Sequence, residues 1–258
     1  QVTSHLRPYP MEELARIRAR LHQDQKTVYD FGTGDPQIPT WAPIRKELLD
    51  SVPDISQYPS IRGTLKLGEA QQGYLKRRFA IEPSDKISVL PTRGSKEAVF
   101  HIALSLCGRN GKNTLIFPNP GYPVYQSSAQ FCGATPYPVK LRESNGFLLE
   151  PWKLPKEVQT DAFAIWLNYP HNPTGATACR SYWQKVIDWC HENNCILLSD
   201  DCYIDIFHPS THPDDLPLNP LQLSTDRVIS MMSLSKRSGL TGYRSGFIAG
   251  DSRILEPH

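Results

Sequence analysis

The stretch "AFAIWLNYPHNPTG", from Ala162 to Gly175, joins six apolar residues directly to a polar turn that is rich in proline. A short apolar run that ends at turn residues is typical of a strand buried on both faces of a sheet. The segment "NPTG" taken alone also fits an ordinary type I turn, because Pro and Gly stand at favourable places. The stretch therefore predicts a central strand whose carboxyl end opens into a polar loop.

The same pattern repeats on both sides of this stretch, where short apolar runs alternate with helical segments. Helices are predicted at 11–21, in a segment that ends near Phe79, from about Ser95, from about Val124 and over 180–193. Further strands are predicted at 87–90, 114–117, 135–139, 195–199, 227–233 and 246–250. This alternation predicts an α/β fold in which a mostly parallel sheet lies between two layers of helices.

Composition narrows the classes of protein and partner. The chain has 258 residues, of which 39% are hydrophobic, so it can bury a sizeable core. Its 28 basic and 26 acidic residues give a net charge of +2, which favours neither nucleic acid nor an anionic membrane as a partner. No apolar run approaches the roughly 20 residues of a membrane span. The six cysteines lack zinc-binding spacing, so we expect reduced thiols, no metal site and a cytoplasmic location.

Polar and aromatic clusters follow five of the predicted strands. In chain order they are "TRGS", "NPGYP", "NYPHNPTG", "DDCY" and "SLSK". Because the carboxyl ends of parallel strands meet at one edge, where open α/β sheets bind their ligands, we expect these clusters to form one site.

The residues of these clusters match what pyridoxal phosphate requires. A lysine can form an imine with an aldehyde cofactor, and Lys236 is the candidate. The cofactor also needs an acid beside its pyridine nitrogen, for which Asp200 is the candidate, with Asp201 ranked lower. Tyr203 and Asn172 are candidate donors to the phenolic oxygen, and Tyr122 is the candidate stacking ring. The candidate phosphate ligands are Gly94, Ser95, Lys96, Ser233, Ser235 and Arg244.

Each of these residues also has an ordinary structural interpretation. Lys236 could be a solvated loop lysine, and Asp200 could cap a turn. Tyr122 and Tyr203 could be core aromatics, and Arg244 could form a surface ion pair. Each ordinary interpretation is plausible alone, but their combination at one sheet edge favours the cofactor site.

Taken together, these motifs resemble the class I/II aminotransferases, which are pyridoxal-phosphate enzymes with the aspartate aminotransferase fold (fold type I). The resemblance extends from about Gly34 to Gly250 and rests on "YPSIRGTLKL", "TRGSKEAVF", "NPGYPVY", "NYPHNPTGA", "SDDCY" and "SLSKRSGLTGYRSGF". It implies Lys236, Asp200 and Tyr203 as catalytic residues and Asn172 as a contact of cofactor and substrate. It also implies that Gly34 lies beside the substrate carboxylate.

Two expectations about assembly and backbone rest on the resemblance alone. Tyr58 matches a tyrosine that reaches the cofactor phosphate of a partner subunit, so the resemblance implies a homodimer. The bonds Asn119–Pro120 and Asn172–Pro173 are expected to be cis, although cis is uncommon even before proline.

Within the family, "LRPYPMEEL", "YPSIRG" and "LSKRSGLTGYRSGFIAGD" are most similar to the succinyldiaminopimelate aminotransferase group of lysine biosynthesis. That similarity implies exchange of an amino group between glutamate and N-succinyl-2-amino-6-oxopimelate. The alternatives are another enzyme of this fold, such as an aromatic or aspartate aminotransferase or a carbon–sulfur lyase, and a non-catalytic truncated homologue.

The resemblance also implies a domain division. Residues 1–43 correspond to an N-terminal arm and part of a small domain, and 44–258 correspond to the cofactor-binding large domain. The family's C-terminal part of the small domain, with an arginine that pairs with the substrate carboxylate, has no counterpart in this sequence. We therefore expect the cofactor-binding groups to be nearly complete, the substrate-binding groups to be incomplete, and Leu14, Ile17 and Leu21 to lack a packing partner.

Overall fold

The computed structural model describes residues 10–32, 34–208 and 210–256, and the chain divides into two compact units, Gln1–Pro36 and Gln37–His258. Residues 6–9, which begin the motif "LRPYPMEEL", lie outside the described residues. The division of roles at residue 43 remains a prediction. Among the described residues, no helix combines the length and the apolar character that crossing a bilayer requires.

The first unit contains one helix, α1 (Pro10–Gln23), which confirms the helix predicted at 11–21. Acidic residues stand in its first turn and basic residues in its last turn, an order that complements the helix dipole. Leu14 and Ile17 are exposed, as expected, while Leu21 is half-buried.

The second unit contains a seven-stranded sheet with the order β1-β7-β6-β5-β4-β2-β3. The strands are β1 (Ile87–Thr92), β2 (Thr114–Asn119), β3 (Thr135–Lys140), β4 (Ala162–Leu167), β5 (Ile196–Asp200), β6 (Val228–Ser233) and β7 (Gly246–Asp251). Strand β7 is antiparallel to both of its neighbours, β1 and β6, and the other neighbouring strands pair in parallel. Strands β1 to β6 therefore all point the same way, and the predicted mostly parallel sheet is confirmed.

Eight helices accompany the sheet in the described part of this unit. They are α2 (Ala42–Asp50), α3 (Leu65–Phe79), α4 (Ser95–Leu106), α5 (Pro123–Phe131), α6 (Lys156–Asp161), α7 (Arg180–Glu192), α8 (Leu234–Arg237) and α9 (Ser252–Leu255). Single 3-10 turns occur at Arg109–Gly111, Glu143–Asn145, Pro151–Lys153, Pro213–Asp215, Pro220–Gln222 and Thr241–Tyr243. The sequence pattern predicted α3, α4, α5 and α7 but missed α2, α6, α8 and α9, because a helix of four to nine residues is too short to show a repeating apolar stripe.

Hydrophobic cores lie on both faces of the sheet. Along β4, Ile165 and Leu167 face the core that contains Trp183 of α7, while the alternate residues face the core formed with α4 and α5. All six residues of β4 are buried, which explains its uninterrupted apolar sequence. Burial of each large apolar side chain contributes about 1.5–3 kcal/mol, so the two cores hold the sheet and its carboxyl edge rigid.

Close contact between β6 and β7 leaves no room for a side chain at Gly250. A Cβ atom there would lie 2.3 Å from the Val228 carbonyl oxygen and 2.8 Å from Ile229 Cα. Both atoms belong to backbone in the middle of the sheet, so neither can move without separating the strands.

We predict that Gly250→Ala destabilises the fold by about 1–3 kcal/mol, the usual range for overpacking. Gly68→Ala in α3 is the matched control, because a Cβ atom there meets no atom within 4 Å and the change favours a helix by about 0.5–1 kcal/mol. Urea denaturation of the two variants and the parent measures both effects. Equal stability of Gly250→Ala and the parent would contradict the close packing of these strands.

Candidate active site

The loops that follow β1, β2, β4, β5 and β6 leave the sheet at one edge, as the sequence predicted. Strand β1 is included because β1 and β6 are both antiparallel to β7, which lies between them. The two strands therefore run in the same direction. The convergence of the five polar clusters is thus a consequence of the sheet topology.

Asp200, the last residue of β5, is the central acid of this edge. Its side chain is buried (4% exposed), and the Tyr125 hydroxyl donates a hydrogen bond to Oδ2 at 2.8 Å. Its other oxygen, Oδ1, is buried and accepts no hydrogen bond of ordinary geometry from the residues that the structure describes. Burial raises the pKa of the Asp200 carboxyl, while Tyr125 and the thiol and N–H of Cys202 act in the opposite direction. The carboxyl group therefore lacks a strong donor on one side, which a cationic N–H group would supply.

Both side-chain oxygens of the adjacent acid, Asp201, accept hydrogen bonds from other side chains. Ser199 Oγ donates to Oδ1 at 2.8 Å, Asn219 Nδ2 donates to Oδ2 at 3.0 Å, and Ser230 Oγ also donates to Oδ2. Burial raises the pKa of the Asp201 carboxyl to about 7. Asp201 is a structural carboxyl group, which supports its lower rank in the sequence-based choice.

Tyr125 is a residue that the sequence analysis missed. It lies on α5, three positions after Tyr122, and the two rings meet edge to face with centroids 5.8 Å apart. On its other side Tyr125 stacks on Trp166 at 4.9 Å with an angle of 16°. This packing fixes the hydroxyl that holds Asp200 and places the half-buried Tyr122 close to the same carboxyl group. The three-residue spacing on one helix was the available signal.

Asn172 is connected to Asp200 through Asn168, a second residue that was missed. The Asn172 N–H donates to Asn168 Oδ1 at 2.9 Å, and Asn168 Nδ2 donates to the Asp200 carbonyl oxygen at 2.5 Å. Asn168 is the first residue after β4, and that position at the sheet edge was its signal. The Asn119–Pro120 and Asn172–Pro173 bonds are cis, as predicted, and Tyr169–Pro170 is a third cis bond that was not predicted.

Lys236 lies on α8, directly after β6. The Ser233 hydroxyl begins this helix by accepting a hydrogen bond from the Ser235 N–H at 3.1 Å. Burial raises the pKa of the Cys202 thiol and is reinforced by Asp200, while the charge of Lys236 lowers it. Arg237, the residue after the half-buried Lys236, donates a hydrogen bond to Asp205 at 2.6 Å, so α8 lies beside the turn that follows Asp200.

A basic group stands at the N-terminus of α4. Gly94 is the N-cap residue of this 12-residue helix and has a φ of 82°, a value that favours glycine. A Cβ atom on Gly94 would lie 2.3 Å from Nη2 of Arg244, so the guanidinium group rests against this turn. Arg244 Nη1 donates to the Thr241 carbonyl oxygen at 2.8 Å. A helix N-terminus beside a guanidinium group favours a phosphate.

The remaining predicted phosphate ligands differ in how exposed they are. Ser95 and Ser235 are half-buried, Ser233 is buried, and Lys96 is exposed in the first turn of α4. Their contact with a phosphate group remains a prediction.

A cleft of about 500 Å³ borders Asn172 and Tyr203. His171, Phe207 and His208 also line it, and its size is that of an ordinary small-molecule site. Burial, with smaller effects of Cys202 and Asp200, raises the pKa of Tyr203 to about 12. The Tyr203 hydroxyl therefore keeps its proton at neutral pH and can donate a hydrogen bond.

One predicted residue of the second unit, Tyr58, is not brought to this group by the chain. Tyr58 is fully exposed (102%), so its side chain contacts none of the other candidate residues. Gly34 is exposed and belongs to the first unit. Their roles, which rest on the resemblance, remain predictions. No group of three or more possible metal-ligating side chains occurs in the described ranges.

Comparison with known proteins gives one consistent result. The profile of the family "aminotransferase class I and II" matches residues 26–257. LL-diaminopimelate aminotransferase of Aquifex aeolicus is 35% identical over 253 residues, which are 97% of this chain and 64% of that protein. The chain thus spans about two thirds of the length of this curated relative.

Two solved structures are also similar to the chain. Aminotransferase AspB of Helicobacter pylori has a TM-score of 0.85 and 32% identity and is matched over 97% of this chain and 66% of its own. A probable N-succinyldiaminopimelate aminotransferase of Thermus thermophilus has a TM-score of 0.83 and 25% identity, over 95% of this chain and 65% of its own.

Members of this family use pyridoxal phosphate, and the residues present fit it. The unpartnered buried oxygen of Asp200 suits a protonated ring nitrogen. The turn formed by Gly94 and Arg244 suits the phosphate, and the nearby Lys236 suits the aldehyde. The residues at this sheet edge therefore suit the ring nitrogen, the phosphate and the aldehyde of the cofactor, and their contacts with it remain predictions.

The raised pKa of Asp201 generates a prediction about stability. An unfolded carboxyl group has a pKa near 4, so between about pH 4 and about pH 7 the folded state holds a proton that the unfolded chain has lost. The contribution of Asp201 to the free energy of unfolding therefore falls as pH rises through this window. Asp201→Asn should remove that dependence, which amounts to at most about 1.4 kcal/mol per pH unit for one proton.

Urea denaturation of the cofactor-free protein between about pH 5 and about pH 8 measures this slope. Asp205 and Asp251, whose pKa values are lowered, titrate below the window and leave the comparison undisturbed. Identical slopes for parent and variant would show that Asp201 does not titrate there.

Proposed function

The chain belongs to the class I and II aminotransferase family, and from this we propose that the protein is a pyridoxal-phosphate-dependent aminotransferase. It moves an amino group between an amino acid, with glutamate as the expected donor, and a 2-oxo acid. The observation that carries the proposal is the buried Asp200 carboxyl group, whose Oδ1 has no hydrogen-bond donor among the described residues, at the sheet edge where the helix with Lys236 contacts the following turn.

When bound, pyridoxal phosphate supplies an aldehyde carbon that accepts an amine and a pyridinium ring that withdraws electrons from the substrate Cα. Asp200 Oδ1 accepts a hydrogen bond from the ring nitrogen and, as a carboxylate, keeps that nitrogen protonated. Tyr125 holds Oδ2, so the acid cannot turn away. Tyr122 covers one face of the ring site, and Gly94 and Arg244 hold the phosphate.

Lys236 has two tasks in this proposal. Its Nζ would hold the cofactor through the aldehyde carbon, and as a free amine it would act as the general base for the proton on the substrate Cα. Tyr203 and Asn172 donate hydrogen bonds to the phenolic oxygen from the side of the cleft. Gly34 and Asn172 are the proposed contacts of the substrate carboxylate.

The names of the relatives suggest a substrate derived from diaminopimelate. One similar protein is named for LL-diaminopimelate and another for N-succinyldiaminopimelate. We propose a 2-oxo acid of this skeleton, of which N-succinyl-2-amino-6-oxopimelate in lysine biosynthesis is one candidate. Product identification after reaction with a panel of amino donors tests this choice. Transfer of the amino group to 2-oxoglutarate would separate this activity from that of a carbon–sulfur lyase.

We also propose that the protein works as a homodimer in the cytoplasm. Helix α2 buries no residue, and the chain around it exposes a continuous series of apolar side chains. These side chains are at least 64% exposed and comprise Leu49, Val52, Ile55, Ile61 and Leu65. Exposed apolar surface of this extent marks an interaction site, and a twofold copy is the commonest partner. Tyr58 lies within this surface, in keeping with its proposed role at the partner subunit's cofactor.

We predict that reduction of the cofactor-loaded protein with borohydride fixes the cofactor to the peptide that contains Lys236. Lys236→Ala should lose that label and essentially all amino transfer, because both the attachment and the proton transfer depend on Nζ. Peptide mass spectrometry and a coupled assay are the measurements.

Asp200→Asn is the paired variant for this experiment. It should retain the label at Lys236 but slow the reaction by orders of magnitude, because a neutral amide does not stabilise the ring proton. Label on another lysine, or near-normal activity of Asp200→Asn, would overturn the proposed roles.

We predict that Ile61→Asp weakens the dimer by roughly tenfold or more, because it places a charge within a surface that a partner would bury. Leu104→Asp on α4 is the control, since Leu104 is an exposed apolar residue outside this surface. Sedimentation velocity over a range of concentrations measures the dissociation constant. A parent protein that is monomeric, or equal effects of the two variants, would contradict this interface.

A further inference from the structure

The carboxylate of Asp205 accepts hydrogen bonds from three side chains of two other segments. Tyr74 donates to Oδ2 at 2.7 Å, Arg237 Nε donates to Oδ2 at 2.6 Å, and Arg78 Nε donates to Oδ1 at 2.8 Å. The Asp205 side chain is only 12% exposed. Nothing in the sequence pattern singled out this residue, and the mechanism described above does not use it.

Asp205 lies in the turn that carries the catalytic groups after β5. This turn follows Asp200, includes Tyr203 and is closed by a hydrogen bond from the Ile204 N–H to the Asp201 carbonyl oxygen at 3.1 Å. Its position is therefore fixed relative to the acid and the phenol of the site.

Arg237, which donates a hydrogen bond to Asp205, is the residue next to Lys236. Arg237 is the last residue of α8, and its guanidinium group also lies over the ring of Tyr74 at 4.5 Å. Helix α8 has four residues, and a helix of one turn is not stable by itself. It is held at its start by the Ser233 hydroxyl and at its end by Arg237, with Lys236 between these two anchors.

The charges around Asp205 make this anchor strong. Burial raises the pKa of the Asp205 carboxyl, but the hydrogen bonds from Tyr74, Arg78 and Arg237 together hold it below its usual value. The carboxylate is thus ionised at neutral pH and shared between two guanidinium groups. Loss of its charge would remove the counter-ion of both guanidinium groups, of which Arg78 is the less exposed, at 19% against 34% for Arg237.

From this geometry we propose that Asp205 is a positioning residue that fixes Lys236 relative to Asp200 and Tyr203 by holding Arg237. The inference rests on the proposed function of Lys236 as the cofactor-binding lysine. The Asp205 carboxylate links the turn after Asp200 to helix α8, which carries Lys236. The distance between Asp200 and Lys236 therefore depends on the contact between Asp205 and Arg237, which lies outside the site. Arg78 ties the same carboxylate to α3 and serves stability alone.

The experiment compares Asp205→Asn, Arg237→Gln, their combination and Arg78→Gln. Asp226→Asn is the matched control, because it breaks a carboxylate–guanidinium pair with Arg253 before β6, at the opposite edge of the sheet. Two quantities are measured on the cofactor-free protein. One is the rate at which Lys236 reacts with pyridoxal 5′-phosphate, and the other is the hydrogen exchange of backbone amides 234–239. The thermal unfolding midpoint is recorded for each variant.

We expect Asp205→Asn and Arg237→Gln each to slow the reaction of Lys236 by roughly tenfold and to speed amide exchange in α8. The double variant should be no worse than either single variant, because the two residues act through one contact. Arg78→Gln and Asp226→Asn should lower the unfolding midpoint or leave it unchanged without altering either quantity.

Equal losses of reactivity and exchange protection in Asp205→Asn and Arg78→Gln would overturn the inference, since Asp205 would then serve only stability. So would a parent-like rate and parent-like exchange in Asp205→Asn. A parent protein that reacts with pyridoxal 5′-phosphate at another lysine would refute the proposed function instead. Amide exchange would then still show whether Asp205 orders α8.

Discussion

The rest of the site depends on one buried carboxyl group whose second oxygen has no donor. Asp200 is held at the end of β5 by the Tyr125 hydroxyl, and its buried Oδ1 has no hydrogen-bond partner among the described residues. Burial of a carboxyl group without full hydrogen bonding is unfavourable, typically by about 1–3 kcal/mol for a missing bond. A cationic ligand removes that cost, so the same feature that weakens the fold strengthens the binding of a pyridinium ring. Gly94 and Arg244 form a separate basic turn at the same edge of the sheet, and Tyr122 packs against the tyrosine that holds Asp200.

The contrast between Asp200 and Asp201 shows how a strand end separates two identical side chains. Successive residues of a strand point to opposite faces of the sheet, so the two acids have different neighbours. Asp201 accepts hydrogen bonds from Ser199, Asn219 and Ser230, while Asp200 accepts one from Tyr125 and is further stabilised by Cys202. One acid therefore contributes to the structure of the sheet and the other to chemistry at its edge.

The sequence predicted every strand of the sheet and most of the candidate site, for identifiable reasons. A buried parallel strand such as β4 must be apolar on both faces, so its limits are visible in the sequence. Lys236 and Asp200 became candidates because Asp200 ends one such strand and Lys236 lies in the short segment that follows another. Tyr125, Asn168 and Asp205 were missed because their importance lies in contacts across 75, 32 and 32 residues, to Asp200 and Arg237, which local spacing does not reveal. Helix α2 was missed because it is only nine residues long and buries no residue, so its apolar side chains do not form a stripe that packs on the core.

The antiparallel strand β7 has a consequence for the order in which the molecule assembles. Residues 234–245 connect β6 to β7, and the pair Ser233–Gly246 brings both ends of this connection to the same edge. Lys236 and Arg244 therefore belong to one loop that closes only when β7 has entered the sheet. Because β7 also pairs with β1, which is far away in the sequence, its entry is a contact of high contact order and forms slowly. The lysine and the arginine therefore share one loop whose two ends are held by the same strand pair, so the position of both depends on the pairing of β7 with β6.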